Sequence, residues 1–223
     1  MIHTIAKQMA QHIGKNIAAT QNETVKIGYG LEIILAVVVK GSILVLTSYL
    51  LGVLSPMLIV FFTASGFRIL TGGAHCGTFC RCLCAGLIVF NGLGYVTRVI
   101  SNSFNTAITI PIITIIAILG LVITYKYAPA DAIIKPHKNH HRKKIARDVS
   151  MALIIVWYST IILIISPMTF NLYYKEIMIG SALGFIWQFF TITPFGFKLF
   201  QYTDEFFNRK IPKGGEYLCP RHE

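Results

Sequence analysis

The sequence predicts an all-α integral membrane protein, a bundle of six transmembrane helices with an amphipathic interfacial helix at its N-terminus. Of the 223 residues, 54% are hydrophobic and only 13% are charged, a balance that is rare in soluble domains. The apolar residues come in long blocks, each near the about 20 residues that cross a bilayer. The 20 Lys and Arg residues cluster between the blocks, as they do in the cytoplasmic loops of membrane proteins.

Residues 1–27 form the first predicted unit. Apolar side chains recur at helical spacing from Ile2 to Ile17, while Lys7 and Lys15 lie mostly on the other side. This pattern is typical of an amphipathic helix lying on the membrane surface. It fits equally well a first helix packed against the bundle, and the sequence leaves both interpretations open.

Residues 28–195 contain the apolar blocks and form the predicted transmembrane domain, and residues 196–223 form a polar tail. The blocks cover approximately residues 29–51, 56–70, 82–100, 107–125, 150–165 and 177–192. The second block, at 15 residues, would reach about 22 Å as a helix, less than a bilayer core of about 30 Å. Either this helix begins earlier, or it ends inside the membrane face.

The distribution of basic residues predicts the orientation of the chain. With the N-terminus inside, residues 1–27, 68–81, 126–147 and 196–223 face the cytoplasm and hold 17 of the 20 Lys and Arg. Because positive charge concentrates on the inner side, we expect both termini to be cytoplasmic. The same rule accounts for the net charge of +11, which in a soluble protein would indicate nucleic acid. We therefore expect membrane lipids, and no nucleic acid, as partners.

Residues 72–82 read Gly-Gly-Ala-His-Cys-Gly-Thr-Phe-Cys-Arg-Cys and lie between two apolar blocks. The imidazole of His75 and the thiol of Cys82 are the components of a cysteine nucleophile. On a continuous helix these residues would be about 10.5 Å apart, so the chain must bend, and the glycines can supply the bend. With Thr78 as N-cap, the helix end, His75 and nearby Arg81 would favour the Cys82 thiolate.

The same residues allow less reactive interpretations. A cysteine in a transmembrane helix is often packing filler, and Cys76, Cys80 and Cys84 are spaced to lie along one helical face. The five cysteines, four of them within residues 76–84, do not resemble a disulfide framework. His75 and these cysteines could also ligate zinc or copper, although the usual paired Cys-x-x-Cys spacing is absent.

Other polar residues inside or beside the apolar blocks are candidates for supporting roles. Lys40 lies midway along the first block, where a charge is costly, so we expect a partner such as Glu32 or a substrate carboxylate. Asp131 would either orient His75, as the third member of a triad does, or pair with neighbouring lysines. For Asn91 and Gln188 we expect hydrogen bonds between helices.

The sequence resembles the accessory gene regulator B (AgrB) family of quorum-sensing membrane peptidases. The resemblance rests on Arg68, Gly72-Gly73-Ala74-His75, Arg81-Cys82, and Tyr127-Ala128-Pro129-Ala130 followed by Lys135-Pro136. It implies a cysteine endopeptidase that removes the C-terminal tail of a short, AgrD-like precursor peptide and promotes its cyclisation to a thiolactone or lactone signal. By position, Cys82 matches the nucleophile, His75 the general base and Arg68 a basic residue associated with activity.

We expect supporting or substrate-binding roles for Gly73, Arg81, Lys40, Asp131 and Lys135. We expect the bacterial cell membrane as location, with the active site on the cytoplasmic side as the distribution of Lys and Arg predicts, and no metal or cofactor. The oligomeric state, a homodimer included, is left open. The alternative functions are a small membrane transporter or channel, with Lys40, Asn91 and Gln188 lining a path, and a metal- or redox-sensing membrane protein.

Overall fold

The computed structural model describes residues 2–74, 76, 78–103, 106–130, 140–165 and 172–210. Over these residues the chain is mainly helical, and Gly72 and Ala130 form an isolated β-bridge. The predicted fold class is confirmed. In chain order the helices are α1 (Ile2–Asn16), α2 (Gln21–Leu50), α3 (Leu54–Thr71), α4 (Phe79–Ser103), α5 (Thr106–Tyr127), α6 (His140–Ile165), α7 (Leu172–Thr191) and α8 (Pro194–Lys210).

Five helices, α2 to α6, are long and apolar enough to cross a membrane within the described residues. A sixth span is present if α7 and α8, which are bent by 78° relative to each other, are counted together. Of the two explanations for the short second block, the structure shows the earlier helix start. Helix α3 begins at Leu54 and has 18 residues, or about 27 Å. The protein is therefore a multi-pass membrane protein.

Helix α7 lies at the centre of the bundle and packs against α3, α4 and α5. Most of its residues from Met178 to Thr191 are buried. Phe185 stacks on Trp157 of α6 with ring centroids 4.3 Å apart and also contacts Phe67 of α3. At Gly184 a Cβ would lie 2.5 Å from the carbonyl oxygen of Val60, so a small residue allows α7 and α3 to approach closely.

Helix α1 packs against α2, which begins at Gln21 and runs without a break through the predicted boundary at residue 27. The buried side of α1 carries its small residues Ala6, Ala10 and Gly14. Its larger apolar residues, such as Ile5 and Met9, remain exposed. The structure therefore shows α1 packed on α2, and its exposed apolar side chains keep it an amphipathic helix of the kind predicted for the membrane surface.

The two ends of the bundle differ in chemistry. At one end Arg98 of α4 lies 3.6 Å from the carboxylate of Glu176 at the start of α7, and it also donates to the carbonyl of Gly52. At the opposite end, backbone hydrogen bonds join the residues that follow α3 and α5 to the ends of α7 and α3. The motif that carries His75 and Cys82 lies at this second end.

Candidate active site

The chain leaves α3 through two glycines, and both have backbone angles that favour this residue type. Gly72 has φ of 69° and Gly73 has φ of 133°. A Cβ on Gly72 would lie 2.5 Å from the carbonyl oxygen of Ala130, and one on Gly73 would lie 2.7 Å from Thr191 Oγ1. Angle and space therefore both require glycine here. We call residues 72–74 the Gly-Gly turn.

The Gly-Gly turn is held by hydrogen bonds from α7. Gln188 donates through Nε2 to the carbonyl oxygen of Gly72 (2.7 Å) and to Thr71 Oγ1 (2.9 Å). The backbone N–H of Ala74 donates to the carbonyl oxygen of Thr191 (3.0 Å). The hydrogen bond expected between helices for Gln188 is thus present, and the Thr191 bond reaches Ala74, the residue directly before His75.

The segment after α5 closes the other side of the turn. The N–H of Ala130 donates to the carbonyl oxygen of Thr71 at 2.8 Å, and Ala130 forms the isolated bridge with Gly72. The Tyr127–Ala130 segment, distant in sequence, therefore lies beside the Gly-Gly turn. Asp131 and Lys135, which follow it, lie outside the described residues, and their predicted roles stay predictions.

Arg68 reaches back from the last turn of α3 to the same segment. Its Nη2 donates to the carbonyl oxygen of Ala74 at 2.6 Å and, more weakly, to that of Gly73 at 3.4 Å. A guanidinium group has five N–H donors, and these two contacts use only Nη2. Arg68 thus links the Gly-Gly turn to α3 while the half-buried side chain also faces a groove described below.

Cys82 lies in the first turn of α4. Its N–H donates to the carbonyl oxygen of Thr78 at 3.1 Å, so the two residues lie on one helical face. Thr78 precedes the first helical residue, as predicted for an N-cap. Its buried hydroxyl, however, makes no hydrogen bond, so the expected side-chain cap is not formed.

The remaining cysteines differ in their surroundings. Cys76 lies ahead of α4, so the prediction of one helical stripe with Cys80 and Cys84 is wrong for this residue. Burial raises the pKa of the Cys76 thiol to about 11. Cys80 takes part in a disulfide bond, whereas Cys82 and Cys84 do not. Among the described residues, no group of three His, Cys, Asp or Glu side chains is placed to hold a metal ion.

Arg81 and Lys40 have contacts that differ from those expected. Arg81 donates through Nη1 to the carboxylate of Asp204 on α8 at 3.3 Å and to its carbonyl oxygen at 3.1 Å. The carboxylate of Asp204 therefore offsets much of the positive charge that was expected to favour the Cys82 thiolate. The amine of Lys40 lies over the ring of Phe79, 4.5 Å from the centroid, a cation–π contact. Glu32, the expected partner of Lys40, instead contacts His3 at 3.0 Å.

A large groove connects these residues. It has a volume of about 1890 Å³ and separates the α1–α2 pair from α3 and α4, with Trp187 and Phe200 also lining it. Its wall near the Gly-Gly turn contains Ala74, Cys76, Thr78 and Cys82. Apart from Tyr29 and the two cysteines, the titratable side chains along it are mostly basic and are His3, Lys7, Lys15, Glu32, Lys40 and Arg68. The groove is larger than the 300–1,000 Å³ or so typical of small-molecule sites.

The structure therefore brings Cys82, Arg68 and Lys40 to one groove, with Gly73 supporting its wall. Arg81 points instead to α8. His75 lies outside the described residues, although both of its neighbours, Ala74 and Cys76, are buried at the groove. Its predicted contact with Cys82 stays a prediction.

Comparison with known proteins identifies the family of this chain. The family model described as accessory gene regulator B matches residues 6–192, from α1 to just beyond the end of α7. The chain belongs to the accessory gene regulator B family. The match includes every residue of the Gly-Gly turn, the first turn of α4 and the α7 residues that contact them.

Relatives named AgrB-like occur in clostridia. The chain is 28% identical over 222 residues to one from Clostridium perfringens strain SM101, covering 95% of this chain and 100% of the relative. A second, from Clostridium perfringens strain 13, is 27% identical with the same coverage. A third, from Clostridium beijerinckii, is 29% identical over 64% of this chain and 69% of the relative. No solved structure matches.

Sequence reasoning missed three features of this site. The Gln188 and Thr191 contacts with the Gly-Gly turn join residues more than a hundred positions apart, and so does the Arg81–Asp204 pair. Local periodicity carries no signal for such pairs. The unpaired hydroxyl of Thr78 was also missed, because the position looked like an ordinary helix cap.

Proposed function

We propose that this membrane protein of the accessory gene regulator system is a cysteine endopeptidase. It cuts the C-terminal tail from a short, AgrD-like precursor peptide and promotes cyclisation of the remainder into a quorum-sensing signal. The observation that carries the proposal is the position of Cys82. Its partly exposed thiol lies in the first turn of a helix and on the wall of a basic groove of about 1890 Å³. Such helix ends favour a thiolate, and the groove offers room for a peptide.

The chemistry divides into two transfers. His75 accepts the proton from Cys82, and the thiolate attacks the carbonyl carbon of the scissile peptide bond. The C–N bond breaks, the departing tail takes the proton as an amine, and the peptide remains as a thioester on Cys82. A Cys or Ser of the bound peptide then attacks the thioester carbonyl, which closes the ring and returns the Cys82 thiol. No ATP is needed, because the thioester retains the activation of the acyl group.

The groove also suits the partner. Basic side chains outnumber acidic ones along it, with Lys7, Lys15, Lys40 and Arg68 against Glu32. An acidic stretch of the precursor would therefore be attracted to this surface. Arg68 has guanidinium donors beyond Nη2 for a carboxylate or carbonyl of the peptide. We place the groove on the cytoplasmic side of the bacterial cell membrane, following the distribution of Lys and Arg.

Cleavage of a co-expressed precursor tests the proposal. Cys82→Ala and His75→Ala are expected to reduce cleavage by at least about 1,000-fold, because each removes one of the two reacting groups. Cys76→Ser and Cys84→Ser are the matched controls and should retain most of the activity. Membrane insertion of every variant is checked by its abundance in the membrane fraction. Wild-type cleavage by Cys82→Ala would contradict the proposal.

A further inference from the structure

Two residues of α7 hold the backbone of the Gly-Gly turn, which precedes His75 in the chain. We infer that Gln188 and Thr191 are positioning residues for the general base, so that α7 sets the reactivity of Cys82 without contacting it. The inference rests on the proposed function, since it assigns a role towards the proposed base. It adds a third element, α7, to a site otherwise built by α3 and α4.

The hydrogen bonds enter the Gly-Gly turn from one side. The Gln188 amide spans Thr71, the last residue of α3, and Gly72, while the carbonyl of Thr191 accepts from Ala74. Ala74 is covalently bonded to His75. Hydrogen bonds to α7 therefore hold the segment between α3 and His75 at Gly72 and at Ala74.

The side chains of this hydrogen-bond network are buried, so losing one of its hydrogen bonds costs more free energy than at the surface. Gln188 is 1% exposed, and Thr71 and Thr191 are fully buried. Thr191 donates through Oγ1 to the carbonyl oxygen of Gln188 at 2.7 Å, and Thr71 donates to that of Phe67 at 2.9 Å. Without the Gln188 amide, the partly buried carbonyl of Gly72 would lose this donor, and such losses shift the backbone.

Small shifts of a base have large kinetic effects. A general base must lie within hydrogen-bond reach of the proton it removes, about 2.6–3.2 Å between heavy atoms. A misplacement of about 1 Å can lower the rate about 100-fold. A loosened Gly-Gly turn should therefore affect the chemical step, while the groove residues that bind the peptide stay in place.

Asn91 supplies a matched control within the same chain. It is also a buried primary amide that joins two helices, donating through Nδ2 to Thr47 Oγ1 of α2 at 3.2 Å. It lies on α4 more than two turns beyond Cys82, and within the described part of the chain it neither lines the groove nor hydrogen-bonds to the Gly-Gly turn. Replacing Asn91 removes a comparable hydrogen bond without touching the backbone near His75.

The experiment compares Gln188→Met with Asn91→Leu, both close in size to the residue replaced, in full-length protein in membranes. We expect kcat for precursor cleavage to fall about 100-fold in Gln188→Met, with KM changed less than about 3-fold. Alkylation of Cys82 at pH 7, measured by mass spectrometry, should slow to the rate seen in His75→Ala. In Asn91→Leu both quantities should stay within about 3-fold of wild type. Gln188→Asn, which keeps the amide on a shorter side chain, should show a smaller loss of kcat in the same direction.

Each outcome decides between the claims. Unchanged kcat in Gln188→Met would overturn the inference, and so would a loss of kcat with unchanged Cys82 alkylation. If Gln188→Met does not accumulate in membranes, Gln188→Asn decides by the same two measurements. If His75→Ala cleaves like wild type, the proposed function fails instead, whatever Gln188→Met does.

Discussion

The cysteines within residues 76–84 lie in different surroundings. Cys76 is buried in the loop before α4, and burial raises its pKa to about 11. Cys84 is exposed but does not line the groove, whereas Cys82 is partly exposed and does. Only a thiol that combines access with a helix N-terminus suits a nucleophile. This distinction supports Cys82 among the four cysteines within residues 76–84.

The raised pKa makes Cys76 slow to react. A thiol with a pKa of about 11 has, at pH 8, about 100-fold less thiolate than one at 9.0, so we expect alkylation to be slower by that factor. The rate should rise about tenfold per pH unit until about pH 11. Since the folded state holds this proton more tightly than the unfolded state, its contribution to stability is lost as pH rises from 9 to 11.

Site-resolved alkylation by iodoacetamide, read by mass spectrometry from pH 7 to pH 11, checks this expectation. The same protein in denaturant is the control, where Cys76 should react like an ordinary thiol. Rapid modification of folded Cys76 at pH 8 would contradict the account of its burial.

The sequence indicated the backbone requirements of the candidate site better than the contacts of its side chains. The Gly-Gly pair was identified by residue type, because few residues other than glycine tolerate such backbone angles. The contacts of Lys40 and Arg81 were not predicted, because a ring or a carboxylate from another helix can replace the partner that is near in sequence. A charged residue in an apolar block indicates that its side chain needs a partner. Which residue becomes that partner depends on how the helices pack.

At the scale of the elements, the helices followed directly from apolar block length, and their junctions did not. Helix α3 begins at Leu54, two residues before the predicted block 56–70. The Ser55-Pro56 pair had suggested a turn, but proline is tolerated in the first turn of a helix. The bend of 78° between α7 and α8 follows Thr193-Pro194, but its angle depends on packing. The Gly-Gly turn is the junction that matters most, since three separate segments hold it.

The Gly73→Ala substitution tests how tightly this junction is built. The new Cβ would lie 2.7 Å from Thr191 Oγ1 at a φ of 133°, so the turn must move or the backbone must be strained. We expect a loss of about 1–3 kcal/mol in stability and at least a 10-fold loss of cleavage. Thermal unfolding in detergent and the precursor cleavage assay measure the two effects.

Gly66→Ala is the matched control within α3. A Cβ there meets no atom within 4 Å, so the protein should keep its activity and gain up to about 1 kcal/mol from helix propensity. Wild-type stability and cleavage in Gly73→Ala would contradict the geometry of the turn.

At the scale of the whole molecule, the groove depends on how two parts of the bundle meet. The α1–α2 pair forms one wall, and α3 and α4, which are packed around α7, form the other. The basic residues predicted to face the cytoplasm therefore share one space with Cys82 and Arg68. The sequence indicated this charge through the positive-inside rule. It could not show the groove, because the groove depends on the packing of the small residues of α1 against α2.

The central claim is that Cys82 carries the peptide as a thioester. Intact-mass analysis of the membrane protein, quenched in acid after mixing with precursor, measures this directly. The account predicts an added mass equal to the precursor without its tail, attached to the fragment that contains Cys82 and released by hydroxylamine. An adduct at Cys76 or Cys84 would contradict the account. So would efficient cleavage with no adduct, in the wild type and in a variant slowed at ring closure.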